Sequence, residues 1–108
     1  MDLVIKKQKD FDAVFGKGKR VYTKTLTLLF IKGEKFRFGI SLSKKHGKAT
    51  VRNRVKRLIR ASIREIMKEN VLESYSVIVL PKVNEEYCFE NFKTDILYAL
   101  KKGNIING

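Results

Sequence analysis

Basic side chains are concentrated in one stretch of the sequence, between Ser43 and Glu65. This stretch contains nine lysine and arginine residues, and Glu65 is its only acid. Cations then recur at every fourth position, at Arg52, Lys56, Arg60, Arg64 and Lys68. On a helix this spacing places them in one row at intervals of about 6 Å, where like charges repel by a few tenths of a kcal/mol per pair. Because an anionic partner would remove this cost, the row predicts a polyanion-binding face. On an ordinary solvated helix face, the charges of the side chains usually alternate in sign.

The apolar residues of the same region predict the helix that carries these cations. Thr50 is the predicted N-cap, because its hydroxyl can accept from a free N–H of the first turn. No Gly or Pro interrupts the pattern up to about Asn70. The three-and-four spacing of one buried face is followed by Val51, Val55, Leu58, Ile59, Ser62, Ile63 and Ile66. We therefore expect one long amphipathic helix, entered through a basic loop at residues 43–48 whose position at a helix N-terminus suits a phosphate.

The same region resembles the signature of the bacterial ribonuclease P protein subunit. The matching motifs are Ser-Lys-Lys from Ser43, Gly-Lys-Ala from Gly47, and Arg-Asn-Arg-Val-Lys-Arg-Leu-Ile-Arg from Arg52. The core of the match is Arg52-Asn53-Arg54, and weaker agreement extends from about Gln8 to Gly103. Nearly the whole chain is therefore covered by the resemblance.

The resemblance implies the protein subunit of an endoribonuclease ribonucleoprotein that removes 5′ leaders from precursor tRNA. In that family the catalytic RNA cuts with Mg²⁺, bound mainly by the RNA, while the protein improves substrate affinity and metal use. No protein side chain is then catalytic or binds a metal. The implied partners are the catalytic RNA and precursor tRNA, with no DNA and no membrane. The implied RNA-binding residues are Lys44, Lys45, Lys48, Arg52, Asn53, Arg54, Lys56, Arg57, Arg60 and Arg64.

Two phenylalanines, Phe11 and Phe15, lie four residues apart on a short predicted helix from about Gln8 to Phe15. Their spacing alone favours two core residues. The resemblance instead implies that both rings line a shallow cleft for the single-stranded leader, since every base offers a face on which a ring can stack. Leu29 lies where the family often has a third aromatic residue of the cleft. A leucine cannot stack on a base, so at this position the resemblance implies only an apolar contact with the leader.

Alternation of apolar and polar residues predicts the strands. Residues 17–24 are expected to form a basic, irregular connection in which Lys17, Lys19 and Arg20 add phosphate contacts. A strand from Leu26 to Ile31 and a hairpin turn at 32–35 then lead to a half-buried antiparallel strand from Phe36 to Leu42.

The last elements are a buried strand from Tyr75 to Pro81 and a helix from Phe89 to Lys102. The order of elements predicts an α+β sandwich, with three helices packed on a mostly antiparallel sheet. The strands before and after the long helix would be parallel. The resemblance implies the ribosomal-protein-S5-domain-2-like fold, in which this crossover is left-handed, against the general right-handed rule.

Length and composition agree with a nucleic-acid partner. The chain has 108 residues, 44% of them hydrophobic, and a formal net charge of +13. We expect one domain over residues 1–108. We also expect cytoplasmic localisation, because no apolar run reaches the length of a membrane span, no signal-peptide pattern is present, and the single cysteine, Cys88, cannot form an internal disulfide.

No constellation of catalytic residues is apparent. Asp10 and Asp12 would point about 200° apart on a helix and cannot easily share a metal. His46, the only histidine, has no partner at ligand spacing and is expected to be an exposed loop residue. Charge and sheet alone allow a ribosomal-RNA-binding protein of similar fold equally well, and only the motif favours ribonuclease P. A DNA-binding regulator is disfavoured, because no companion turn and helix precede the long helix.

Overall fold

The computed structural model describes residues 3–83 and 87–106. In this part of the chain, three α-helices, four strands and one 3-10 helix follow one another. They are α1 (Gln8–Lys17), β1 (Lys19–Tyr22), β2 (Leu26–Lys32), β3 (Arg37–Ile40), a 3-10 helix (Lys44–His46), α2 (Ala49–Glu69), β4 (Tyr75–Pro81) and α3 (Phe89–Lys102). The expected α+β class with three helices on a mixed sheet is therefore confirmed.

The four strands form one sheet in the order β1-β2-β4-β3. β2 pairs antiparallel with β1 and β4, and β3 pairs parallel with β4, as expected for two strands joined across the long helix. The predicted hairpin between β2 and β3 is wrong, since β4 lies between them. Alternation along a strand identifies its buried face, but it does not identify the neighbouring strand. The left-handed crossover stays a prediction from the resemblance.

Strand β1 corrects one prediction, since part of the segment expected to be an irregular connection is a strand. Its four residues pair with β2 from Lys19 opposite Phe30 to Tyr22 opposite Thr27. Only Val21 of this strand is buried, so the segment is too short and too basic to show a period of two.

The sheet separates two apolar layers. On one face α1 packs through Val14 against Leu29 and Ile78. The other face carries the larger core, to which α2 and α3 contribute residues such as Ile59 and Phe92. The segment Leu3–Ile5, which we call the N-terminal segment, runs along the outer edge of β3: Ile5 N–H donates to the Phe38 carbonyl at 2.7 Å, and Phe38 N–H donates to the Leu3 carbonyl at 2.8 Å.

The ends of α2 differ in detail from expectation. The N-cap is Lys48, which makes no side-chain capping bond, so the prediction of Thr50 as N-cap is wrong. Thr50 lies in the first turn because the helix begins at Ala49, two residues before the start that a Thr50 cap implies. Val51 is 39% exposed and Leu58 is half-buried, whereas the other residues of the predicted face are buried: Val55, Ile59, Ser62, Ile63 and Ile66. None of the helices in the described part has the length and apolar character needed to cross a membrane.

Asp95 of α3 holds the turn between β1 and β2. Its Oδ2 accepts from Thr25 N–H at 2.9 Å and from the Thr25 hydroxyl. We expect Asp95→Ala to lower the free energy of unfolding by about 1–3 kcal/mol, because the donors of the buried Thr25 lose their charged acceptor. Thermal unfolding measures this loss. Asp12→Ala is the control, since Asp12 is exposed and, among the described residues, accepts only from the Gln8 amide. A loss as large for Asp12→Ala would contradict the assignment.

Candidate nucleic-acid interface

The cationic row of α2 lies on the side of the helix that faces away from the core. Arg54, Arg57 and Arg64 are exposed, and Arg52, Lys56 and Arg60 are half-buried. Within residues 3–83 and 87–106, none of the cations of α2 forms an ion pair. The face thus keeps its positive charge available for an external anion.

Two arginines of the row contain a buried donor that the protein does not use. The Nε atoms of Arg52 and Arg60 are inaccessible to solvent and have no hydrogen-bond partner among the described residues. A buried donor without an acceptor costs about 1–3 kcal/mol, so such atoms are uncommon unless a ligand completes them. RNA offers phosphate and ribose oxygens as acceptors for both guanidinium groups.

Arg60 lies between two neighbouring cavities of 360 and 260 Å³. We call these two cavities together the cleft. Its walls are the N-terminal segment, β3 and the basic face of α2. The smaller cavity is lined by Val4, Ile5, Lys6, Phe11, Ile40, Lys56 and Arg60. The structure therefore brings the predicted aromatic Phe11 into one cavity with two of the predicted phosphate-binding cations.

The two phenylalanines of α1 differ in their environment. Phe11 is half-buried and packs beside the small core under α1, while Phe15 is 36% exposed and lies outside the lining of the cleft. Leu29 is fully buried beneath α1. The expected apolar contact of Leu29 with a leader is not met in this structure, because strand β2 turns this side chain toward Val14 and Ile78.

Sequence reasoning did not identify the remaining lining residues, among them Lys6 and Ile40. Lys6 borders both cavities because the N-terminal segment pairs with β3. The apolar run from Leu3 to Ile5 was the available signal for an additional strand-like segment.

Gly39 of β3 sets the distance between α1 and the sheet. A Cβ atom at this position would lie 2.8 Å from Cζ of Phe11 and 3.3 Å from Cβ of Ile5. We expect Gly39→Ala to destabilise the protein by about 1–3 kcal/mol, because the Phe11 ring must move. Phe11→Leu in the same chain should reduce this cost, which thermal unfolding of the single and double variants would show.

Gly16→Ala provides the matched control for Gly39→Ala, since an added Cβ there meets no atom within 4 Å. This helical position should be unaffected or slightly stabilised, by up to about 1 kcal/mol. If Gly39→Ala lowers the free energy of unfolding equally in the wild-type and Phe11→Leu backgrounds, the Phe11 ring is not what excludes a side chain at position 39.

The loop before α2 is more ordered than its composition suggested. His46 Nδ1 accepts from Ser43 N–H at 3.0 Å, and this tautomer lets Nε2 donate to the Pro81 carbonyl at 2.7 Å. His46 is a loop residue as expected, but it is half-buried rather than exposed, and it connects the loop to the end of β4. Lys44, Lys45 and Lys48 remain exposed around it.

The acidic residues of the described part do not form a metal site. No group of three or more His, Cys, Asp or Glu side chains within residues 3–83 and 87–106 is close enough to hold an ion. Asp10 instead pairs with Arg37 at 3.4 Å, and Asp12 accepts from Gln8 at 2.9 Å. The carboxylates of the described residues are therefore not arranged as ligands for a protein-bound Mg²⁺.

A family model described as Ribonuclease P matches residues 2–104 of the chain. The chain belongs to the ribonuclease P protein family. The "Ribonuclease P protein component" of Microcystis aeruginosa is 40% identical over 111 residues, covering 96% of this chain and 92% of the relative. The protein of the same name from Bacillus cereus strain AH187 is 36% identical over 104 residues, covering 94% and 90%.

Solved ribonuclease P proteins share the fold. The Staphylococcus aureus RNase P protein superimposes with a TM-score of 0.84 at 27% identity, covering 99% of this chain and 100% of that one. The RNase P protein from Thermotoga maritima gives 0.80 at 29% identity, covering 96% and 97%.

Membership of the family confirms the assignment made from the Arg-Asn-Arg motif. The chain is a protein subunit of an endoribonuclease holoenzyme, ribonuclease P, which contains RNA and acts with metal ions. The family match also decides against the ribosomal-RNA-binding alternative, which charge and sheet alone had left open.

Proposed function

We propose that this subunit binds the catalytic RNA of ribonuclease P through α2 and the loop at residues 43–48, and receives the 5′ leader of precursor tRNA in the cleft. The observation that carries the proposal is that Phe11, Lys56 and Arg60 line one cavity. A ring beside cations is the arrangement that single-stranded RNA requires, since the base stacks while the phosphates are neutralised.

This arrangement recognises a leader without reading its sequence. The ring accepts any base, and the ammonium and guanidinium groups contact a backbone common to all leaders. Arg60, whose Nε has no partner among the described residues, lines the cavity in which such a strand would lie. Phe15, one helical turn beyond Phe11, extends the aromatic surface. Mature tRNA, which lacks a leader, would leave the cleft empty.

The ten predicted RNA-binding residues all retain accessible surface. Asn53, Arg54 and Arg57 are exposed at the N-terminal half of α2, next to the lysines of the loop. This half of the helix is the part assigned to the catalytic RNA. The row from Lys56 to Arg64 borders the cleft and would contact both RNAs near their junction.

Bond cleavage in this proposal belongs to the RNA, where Mg²⁺ is held mainly by RNA phosphate oxygens. The protein contributes charge: its +13 offsets repulsion between two polyanions that would otherwise need additional Mg²⁺ for screening. The holoenzyme is proposed to act in the cytoplasm.

Cleavage of a precursor tRNA by the cognate catalytic RNA tests this function. At low Mg²⁺ the purified protein should strongly increase the cleavage rate, and the increase should shrink as Mg²⁺ is raised, because the metal then supplies the screening. The protein without RNA is the control and should leave the precursor intact. Absence of stimulation at every Mg²⁺ concentration, or cleavage by the protein alone, would refute the proposal.

A further inference from the structure

A second basic cavity, of 390 Å³, lies at the end of the sheet where β1 begins and where α1 and α3 end. Four lysines from four different elements line it: Lys17, Lys19, Lys32 and Lys102. None of the described residues in its lining is acidic. Its volume is in the range of pockets that hold small ligands.

This cavity is well separated from the N-terminal half of α2. Tyr75, the first residue of β4, lines the cavity, whereas Pro81, the last residue of β4, is bonded to His46 in the loop before α2. A strand of this length spans about 20 Å. The cavity is therefore a different surface from the one formed by the loop and the Arg-Asn-Arg motif.

The register of the sheet directs two of the lysines to the same side. Lys19 is paired with Phe30, and Lys32 is paired with Tyr75. Cross-strand partners share a face, and Phe30 and Lys32 are two residues apart, so all four side chains lie on the face covered by α3. Phe30 and Tyr75 meet edge to face with ring centroids 5.8 Å apart and form an apolar floor.

The end of α3 is held tightly against this floor. A Cβ on Gly103 would lie 2.9 Å from Cζ of Phe30, so this position needs a glycine for close approach. Asn104, the next residue, also lines the cavity and supplies an amide at its rim. The positions of Lys102 and Asn104 relative to the strand lysines are thereby set by packing.

Helix-end electrostatics explains only part of this cluster. Lys17 and Lys102 lie in the last turns of α1 and α3, where a cation offsets the negative end of the helix dipole, and the Lys102 ammonium also lies 5.7 Å from the Tyr98 ring centroid. Lys19 and Lys32 are on strands and have no such role. Within residues 3–83 and 87–106, none of the four lysines forms an ion pair.

We propose that this lysine cavity is a second RNA-binding site, which holds backbone phosphates of the RNA in the same ribonucleoprotein. The identity of the ligand as RNA depends on the proposed function, whereas the location of the site is inferred from the cavity alone. Ammonium groups supply the charge, and the Tyr75 hydroxyl and Asn104 amide can donate to phosphate or ribose oxygens. Contacts at both ends of the sheet would hold the RNA at two points, so that each contact raises the effective concentration of the other.

The test compares two double variants with the same loss of charge. Lys19→Gln with Lys32→Gln removes the two strand lysines, and Lys24→Gln with Lys101→Gln removes two exposed lysines that do not line the cavity. Dissociation constants are measured against salt, for protein with catalytic RNA and for holoenzyme with precursor tRNA. We expect the cavity pair to reduce the slope of log K against log salt by about 2 in magnitude, and the control pair by less than half of that.

The two RNAs identify the source of the phosphates. A reduced slope with catalytic RNA alone supports a site for the catalytic subunit, and one with precursor tRNA alone supports a site for the substrate. If the cavity pair matches the control pair with both RNAs, the inference is overturned. The proposed function would still stand in that case, provided that the wild-type protein stimulates cleavage. Thermal unfolding shows whether the variants are folded. If the double variant does not fold, the two single variants are measured instead, and each is expected to change the slope of log K against log salt by about half as much.

Discussion

Replacing Arg57 and Arg60 together by glutamate is expected to weaken binding of the protein to the catalytic RNA by about a hundredfold or more. Each lost charge-assisted contact is worth about 1.5–3 kcal/mol, and about 1.4 kcal/mol corresponds to a factor of ten. The salt dependence of the remaining binding should also fall, by about one unit of slope for each phosphate contact removed, because fewer counterions are released. Equilibrium binding over a range of salt concentrations measures both effects.

The fold should survive this double substitution, because Arg57 is exposed, Arg60 is half-buried, and the core of α2 is formed by other residues. Lys24→Glu with Lys101→Glu is the control for the net change of charge, since both lysines are exposed and lie off α2. A folded Arg57→Glu, Arg60→Glu protein that binds the catalytic RNA with unchanged affinity and salt slope would show that this face of α2 is not the RNA-binding surface.

Phe15→Ala is expected to weaken holoenzyme binding to precursor tRNA while leaving binding to mature tRNA nearly unchanged. Loss of one stacked base corresponds to roughly 1–3 kcal/mol, or about 5- to 150-fold in affinity. Because the side chain is already 36% exposed, its truncation should cost far less than the roughly 3–5 kcal/mol of a buried phenylalanine. The measurements are holoenzyme affinities for precursors with and without a leader, and thermal unfolding of the variant.

Tyr22→Ala is the matched control, since Tyr22 is a 67% exposed aromatic residue on β1 that lines neither the cleft nor the lysine cavity. It should affect neither RNA. An equal loss for precursor and mature tRNA, or a large fall in melting temperature, would assign Phe15 to the core and exclude it from the aromatic surface proposed to bind the leader. Phe11→Ala should reduce both stability and leader binding, because Phe11 packs over Gly39 and lines the cleft at the same time.

The elements that the sequence predicted well are those with long, regular patterns. The buried face of α2 repeats from Val55 to Ile66, over about three turns, and β4 is a continuous apolar run. The fold class follows from these patterns, and the predicted elements lie within about two residues of their observed bounds. β1 was missed because one buried valine in four residues carries no period. The pairing of β2 with β4 was missed because strand order depends on contacts between residues far apart in the chain, which local alternation does not encode.

For the interface, the sequence by itself determined that the partner is RNA and predicted the face proposed to bind it, because charge spacing on a helix is a local property. Only the tertiary structure decided which other residues join that face. Pairing of the N-terminal segment with β3 brings Lys6 beside Arg60, and the absence of a side chain at Gly39 lets Phe11 approach the sheet. Leu29, assigned to the cleft by its position in the sequence, is instead buried under α1. The physical reason is the same in each case: whether a side chain is core or surface depends on what packs against it, and those neighbours come from distant parts of the chain.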